Sequence, residues 1–135
     1  MTRLGLEVIQ DRKTNRQVRH ILPQDKSDTT VLAELAVDAV AFHFGKKVVR
    51  LHEIEIESKT KGRNAGLGIL VKKLKSMYKP ALKTWESKLA TGNAIGELLV
   101  KGEIQELLTK DKSLKPAAYD KIDRYLRNEL KKTLI

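Results

Sequence analysis

Ala33-Glu34-Leu35-Ala36-Val37-Asp38, then Gly45-Lys46-Lys47, then His52-Glu53-Ile54-Glu55-Ile56-Glu57: the fold turns on how these segments pair. Val31 to Phe44 is rich in β-branched and apolar residues and predicts a long strand. Gly45-Lys46-Lys47 predicts a turn, and Val48 to Glu57 predicts a second strand that alternates strictly at its end. The two together predict an antiparallel hairpin. Glu34 and Asp38 are four apart, so they share one strand face, and Leu32, Ala36, Val40 and Phe42 have the same parity. Glu53, Glu55 and Glu57 likewise share a face, at roughly 7 Å between neighbours from the strand rise.

Outward from the hairpin, Leu4 to Gln10 alternates loosely. It predicts a further strand, with Arg16 to Leu22 as its hairpin partner across Asp11-Arg12-Lys13-Thr14-Asn15. Pro23 to Thr30 predicts a polar loop. Ser58 to Asn64 has no apolar residue and predicts the connection to a helical region. There Leu67, Leu70, Val71, Leu74 and Tyr78 recur at helical spacing before Pro80. Ile95, Leu98, Leu99, Leu107 and Leu108 predict a second helix, weakened by Gly96 and Gly102. Pro116 suits the first turn of a third helix with Tyr119, Ile122, Leu126 and Leu130 as its apolar stripe. The fold class is α+β: an antiparallel half-barrel of about four strands followed by about three helices.

The chain has 135 residues, which suits one domain with a true hydrophobic core. It has no cysteine, so disulfides, a thiol nucleophile and a Cys-ligated zinc site are excluded. No 18-residue apolar run and no signal-peptide pattern occurs, which predicts a cytoplasmic location without membrane association. The net charge is +10, with 27 Lys+Arg and 17 Asp+Glu. Residues 1–57 balance 9 bases with 9 acids, so the whole excess lies in residues 58–135. Such a surface attracts phosphate, whether on nucleic acid, a membrane or a small polyphosphate, and charge alone does not choose among these. The aromatics Phe42, Phe44, Tyr78, Trp85, Tyr119 and Tyr125 fit core positions rather than base-stacking platforms, so nucleic acid is the less favoured partner. His20, His43 and His52 form no metal motif. Gly62 to Gly68 and Gly45-Lys46-Lys47 lack the spacing of a phosphate-binding loop.

Carboxylates in rows repel one another, and glutamate is a poor strand former. An amphipathic strand with Glu outward and Ile inward explains one row without any function. Two adjacent strands with acids on a common face suit a hard divalent cation, Mg²⁺ or Mn²⁺.

On the run Ala33 to Asp38 and the following His52-Glu53-Ile54-Glu55-Ile56-Glu57, the chain resembles the C-terminal half of a CYTH domain, the triphosphate tunnel metalloenzyme family. Arg12-Lys13-Thr14-Asn15-Arg16 is similar to the family's basic strand, although Lys13 and Arg16 are three apart where the family spaces such residues by two. Ser87-Lys88 resembles its late Ser-Lys pair. The resemblance covers residues 1–92, as strands over 4–57 and a helix with the Ser-Lys segment over 64–92. Residues 93–135 form a helical extension of the same domain. The family's N-terminal Glu-x-Glu-x-Lys strand has no counterpart here.

The resemblance implies that Glu55, Glu57 and Asp38 hold Mg²⁺ or Mn²⁺, with Glu53 and Glu34 as ligands or supports. Arg12, Lys13, Arg16 and Lys88 would bind a triphosphate or polyphosphate ligand. It further implies metal-dependent triphosphate hydrolysis, or less readily ATP cyclisation, with a second copy or a partner chain completing the tunnel. The alternatives from the residues themselves are a basic, non-catalytic module for nucleic acid or another polyanion, and an interaction domain that pairs through exposed strand edges.

Overall fold

The computed structural model describes residues 7–59, 64–77 and 87–133, the side chains of 64–66 and 133 aside. In these residues the chain is α+β. Strands β1 (Asp11–Ile21), β2 (Ala33–Phe44) and β3 (Lys47–Ser58) form one open antiparallel sheet in the order β1-β2-β3. Helices α1 (Asn64–Met77), α2 (Lys88–Val100) and α3 (Pro116–Thr133) follow, with a 3-10 turn at Gln105–Leu107. The predicted half-barrel of about four strands is therefore corrected to an open sheet of three.

The missing strand has a local explanation. Asp11 to Asn15 is strand, not the turn between two strands, and residues 7–10 are not strand; Leu4 to Leu6 lie outside the described residues. Asp11–Ile21 is exposed at every position but the last, because it is an edge strand held through its backbone. It therefore has no buried face to impose the alternation that marks a strand in sequence.

The β2–β3 hairpin agrees with its prediction. Gly45 takes a φ of 63° in the two-residue turn, a left-handed conformation that glycine adopts without a Cβ penalty. Both strands are 12 residues long, so Phe44 pairs with Lys47 and Asp38 falls opposite Glu53. By the same count Ala36 faces Glu55 and Glu34 faces Glu57.

The chain divides into two compact units, and each strand contributes residues to both. The first comprises Met1–Lys13, Val40–Leu51 and Lys83–Ile135. It contains the hydrophobic core: Val40, Phe42, Val49 and Leu51 from the hairpin, with Ala94, Ile95, Leu98, Leu99, Ile104, Leu114, Ala118 and Ile122. α2 begins at Ser87, whose hydroxyl accepts a hydrogen bond from the Ala90 amide at 3.1 Å. It stops earlier than the sequence predicts. Gly102, at a φ of 72°, closes it with Glu103 N–H donating to Leu98 O and Gly102 N–H to Leu99 O. Leu107 and Leu108 therefore lie beyond the helix. Gly92 and Gly96 share one side of α2. A Cβ on Gly92 would come within 2.7 Å of Phe42 Cε1, and one on Gly96 within 3.0 Å of Phe44 Cε1. These glycines permit close approach to the aromatic pair. α3 matches its prediction, with Ala118 and Ile122 buried and Tyr119, Tyr125 and Leu126 packed at the margin of the core, while Leu130 remains exposed.

The second unit comprises Thr14–Ala39 and His52–Leu82. Its buried side chains among the described residues are Ala33, Ala36 and Asp38. Leu67, Leu70, Val71 and Leu74 of α1 are half-buried, while the predicted Tyr78 and Pro80 lie outside the described residues, as do Trp85 and Thr60 to Arg63. No described helix is long and apolar enough to cross a membrane.

Candidate functional site

The acidic row of β3 continues the parity of two core residues. Val49 and Leu51 are buried, and the next residues of the same parity are Glu53, Glu55 and Glu57. In β2, Val40 and Phe42 are buried and the preceding residues of that parity are Asp38, Ala36 and Glu34. The isoleucines take the opposite parity, and Ile54 is 41% exposed. The alternation at the end of β3 is therefore shallow, with Glu55 and Glu57 exposed and Ile56 half-buried. The carboxylates occupy the parity that elsewhere in the same strands makes the core.

Within the second unit, Asp38, Glu53 and Glu55 each offer a carboxylate oxygen within 4.8 Å of the others. Asp38 has no exposed surface, which is unusual for a group that costs several kcal/mol to bury without a partner. Arg16, on β1, partners it. Its Nε donates to Asp38 Oδ1 and its Nη2 to Asp38 Oδ2, each at 2.7 Å, and Nη2 also donates to Glu55 Oε2 at 2.5 Å. This is the bidentate guanidinium–carboxylate geometry that a lysine cannot reproduce. The hydrogen bond to Asp38 holds the Arg16 guanidinium above its ordinary pKa, against partial burial and with Glu55 adding to the rise, so the group stays charged at any working pH.

A second cluster continues the row. Lys59 Nζ donates to Glu57 Oε2 at 3.0 Å and lies 3.8 Å from Glu34 Oε2, while His20 Nε2 lies 3.7 Å from the same Glu34 oxygen. The bond to Glu57 raises the Lys59 pKa, with burial opposing it and Glu34 adding to the rise. Among the described residues, Arg16 pairs with Asp38 and Glu55 on this face, and Lys59 with Glu57 and Glu34.

All five predicted acidic residues therefore fall on one face, and three of them converge. The predicted basic residues do not all join them. Arg16 does. Arg12 donates to the Gln10 side chain at 2.5 Å and, with Lys13 and Lys88, belongs to the first unit. Ser87 is the cap of α2 and Lys88 its first residue, which supplies a structural reason for that pair. Sequence reasoning missed Lys59 and His20 as neighbours of the acids. Lys59 was legible in principle, since it lies two residues beyond Glu57 and continues the parity of the row.

The donor set suits a hard cation. Adjacent ligands about Mg²⁺ lie roughly 3 Å apart and opposed ones roughly 4.2 Å, so carboxylate oxygens within 4.8 Å of one another would have to draw together around it. Asp38, Glu53 and Glu55 are the residues that would hold it. Glu57 and Glu34, which the resemblance adds as ligands or supports, both pair with Lys59. Comparison with family models, curated proteins and solved structures finds no match to this chain.

Proposed function

We propose that the acidic face of the hairpin binds a divalent cation, Mg²⁺ or Mn²⁺, and through it the phosphates of a triphosphate or polyphosphate compound. The observation that carries this reading is the convergence of Asp38, Glu53 and Glu55 within 4.8 Å on two rigid, paired strands, with Asp38 wholly buried. A cation there would neutralise phosphate oxygens, and Arg16 supplies a planar donor for the same anion. A simple polyanion binder gains nothing from a face of carboxylates. Hydrolysis of the bound triphosphate is the activity this arrangement would serve.

The test is Mn²⁺ titration by calorimetry and by loss of the free-ion paramagnetic signal, with and without tripolyphosphate. Glu55→Gln is expected to weaken Mn²⁺ binding by about tenfold or more, with the fold unchanged by circular dichroism. Phosphate release from tripolyphosphate and ATP, measured alongside, separates a hydrolase from a binding module. An unaltered Mn²⁺ affinity in Glu55→Gln removes the site.

A second reading draws on β1, which among the described residues is an outer strand of the sheet, exposed at all but the last of its 11 residues. By contrast, the outer edge of β3 is covered at Arg50, whose amide donates to Lys112 O at 2.8 Å while Leu114 N–H donates to Arg50 O at 3.0 Å. Long bare edges are places where a second chain adds a strand. This reading expects a concentration-dependent mass by light scattering and slowed amide exchange in β1 in the associated form. A monomer at every concentration, with unprotected β1 amides, removes self-association.

A further inference from the structure

Among the described residues β1 has one strand neighbour, β2, so its other side is an edge of the sheet. Its charges are lopsided: Arg12, Lys13, Arg16 and Arg19 stand against Asp11 alone. Arg16 points to the acidic side of the sheet, where it pairs with Asp38 and Glu55, and His20 lies there beside Glu34. Strand alternation then puts Lys13 and Arg19 on the opposite face. Both are exposed, and neither meets a carboxylate among the described residues; Arg19 donates to the Val18 carbonyl at 3.0 Å.

An edge of this kind is completed by an extended segment whose N–H and C=O groups pair with those of the strand. The charges select the segment. A second copy of β1, paired antiparallel over its full length, sets Lys13 opposite Arg19 on either side of the centre. Like charges directly opposite destabilise a pair of strands. Shifting the register to bring Asp11 opposite Arg19 shortens the ladder to residues 11–19. Nucleic acid offers phosphates but no ladder of backbone donors and acceptors, and β1 has no Phe, Tyr or Trp on which a base could stack. A segment with carboxylates at alternate positions meets Lys13 and Arg19 on one face, turned away from Glu34, Asp38 and Glu55. The two cations are six residues apart in β1, roughly 20 Å along the strand, so about seven residues span both.

We propose that β1 is a docking edge for an acidic extended segment of another protein, added as a further outer strand with its Asp and Glu side chains beside Lys13 and Arg19. The inference rests on the sheet-edge reading and names its partner, an acidic chain in place of a second copy. Backbone pairing holds the segment, and the two exposed cations select its charge and set its register.

The test uses peptides of about eight residues, the length of an ordinary strand: glutamate alternating with threonine, lysine alternating with threonine, and the glutamate peptide N-methylated throughout. Binding is followed by calorimetry at low and high salt and by amide exchange in β1. The glutamate peptide is expected to bind and to slow exchange in β1, and to lose about tenfold in affinity or more on N-methylation or at high salt. The lysine peptide is expected not to bind. Joint replacement Lys13→Glu and Arg19→Glu should invert that preference, a result that a misfolded protein cannot give. The pair Lys13→Gln and Arg19→Gln, should the reversal not fold, is expected to weaken the glutamate peptide. Lys72→Glu, at an exposed position of α1, should leave the preference as it is. Binding of the glutamate peptide that survives N-methylation or the charge reversal is diffuse attraction to a basic chain and overturns the proposal. So does tighter binding of a single-stranded oligonucleotide that slows the same β1 amides. Failure of the folded wild type to bind the glutamate peptide also overturns it. In that case freely exchanging β1 amides leave the edge open to another occupant, whereas β1 amides protected in a monomer remove the sheet-edge reading as well.

Discussion

Phe42→Ala is expected to cost about 3–5 kcal/mol of folding stability, a large share of the roughly 5–15 kcal/mol that holds a typical domain together. Phe42 has no exposed surface and belongs to the core cluster of the first unit. Its ring lies 6.5 Å from that of Phe44, nearly parallel at 23°. Its edge meets α2 at Gly92, where even a Cβ would approach Phe42 Cε1 to 2.7 Å. Backbone packed that closely on a ring has little freedom to collapse into the space left by truncation, which places the cost at the upper part of the range for such changes. The measurement is urea unfolding followed by circular dichroism, with the midpoint falling steeply and the slope unchanged. Phe42→Leu, which keeps most of the volume, should cost under about 1.5 kcal/mol. Equal losses in the two variants would mean that packing at this position is not what stabilises the unit.

The contrast between what the sequence disclosed and what it concealed follows from where each element buries its residues. β2 and β3 were legible because half of each strand packs on the core and the turn glycine separates them. α3 was legible because Pro116 starts it and Ala118, Tyr119, Ile122 and Leu126 repeat on one side. The second half of β1, Arg16 to Ile21, agrees with its predicted strand, whereas Asp11 to Asn15 reads as a turn because it is exposed and carries neither alternation nor apolar content. That error carried into the site. With a turn at Asp11–Asn15, the register of β1 was undefined, and Arg16 was grouped with Arg12 and Lys13 as a phosphate ligand rather than matched to Asp38. The acids needed no such register, because parity within each strand already put them on common faces. The glycines of α2 show the opposite case. Gly96 read as a weakness of the helix, yet with Gly92 it gives the ring edges of Phe44 and Phe42 room to approach the helix backbone. Helix propensity describes the isolated segment and does not register what packs against it.

Asp38→Asn is expected to lower Mn²⁺ affinity by about a hundredfold or more while leaving a folded protein. The loss of affinity follows from the removal of the one buried charge among three converging carboxylates, a larger change than altering a group that merely supports a ligand. The persistence of the fold follows from an asymmetry within the ion pair. Removing the partner of a buried charge is severe because the remaining charge is left without compensation. Here the charge that remains after Asp38→Asn belongs to Arg16, whose side chain is 42% exposed and still faces Glu55, so water and that carboxylate take it up. The expected cost is about 1–2 kcal/mol, the scale of a lost charged hydrogen bond in a site that can rehydrate. The reverse change, Arg16→Gln, takes a bidentate charged donor from a buried carboxylate and should lower the thermal midpoint further than Asp38→Asn does. The order of those two midpoints reports which partner is buried for its own sake. If Asp38→Asn binds Mn²⁺ as the wild type does, the buried carboxylate is a structural anchor for β1 and the acidic face has no metal to hold. If it loses Mn²⁺ but keeps its midpoint within a few degrees, the charge at Asp38 is retained at a cost that folding alone does not require.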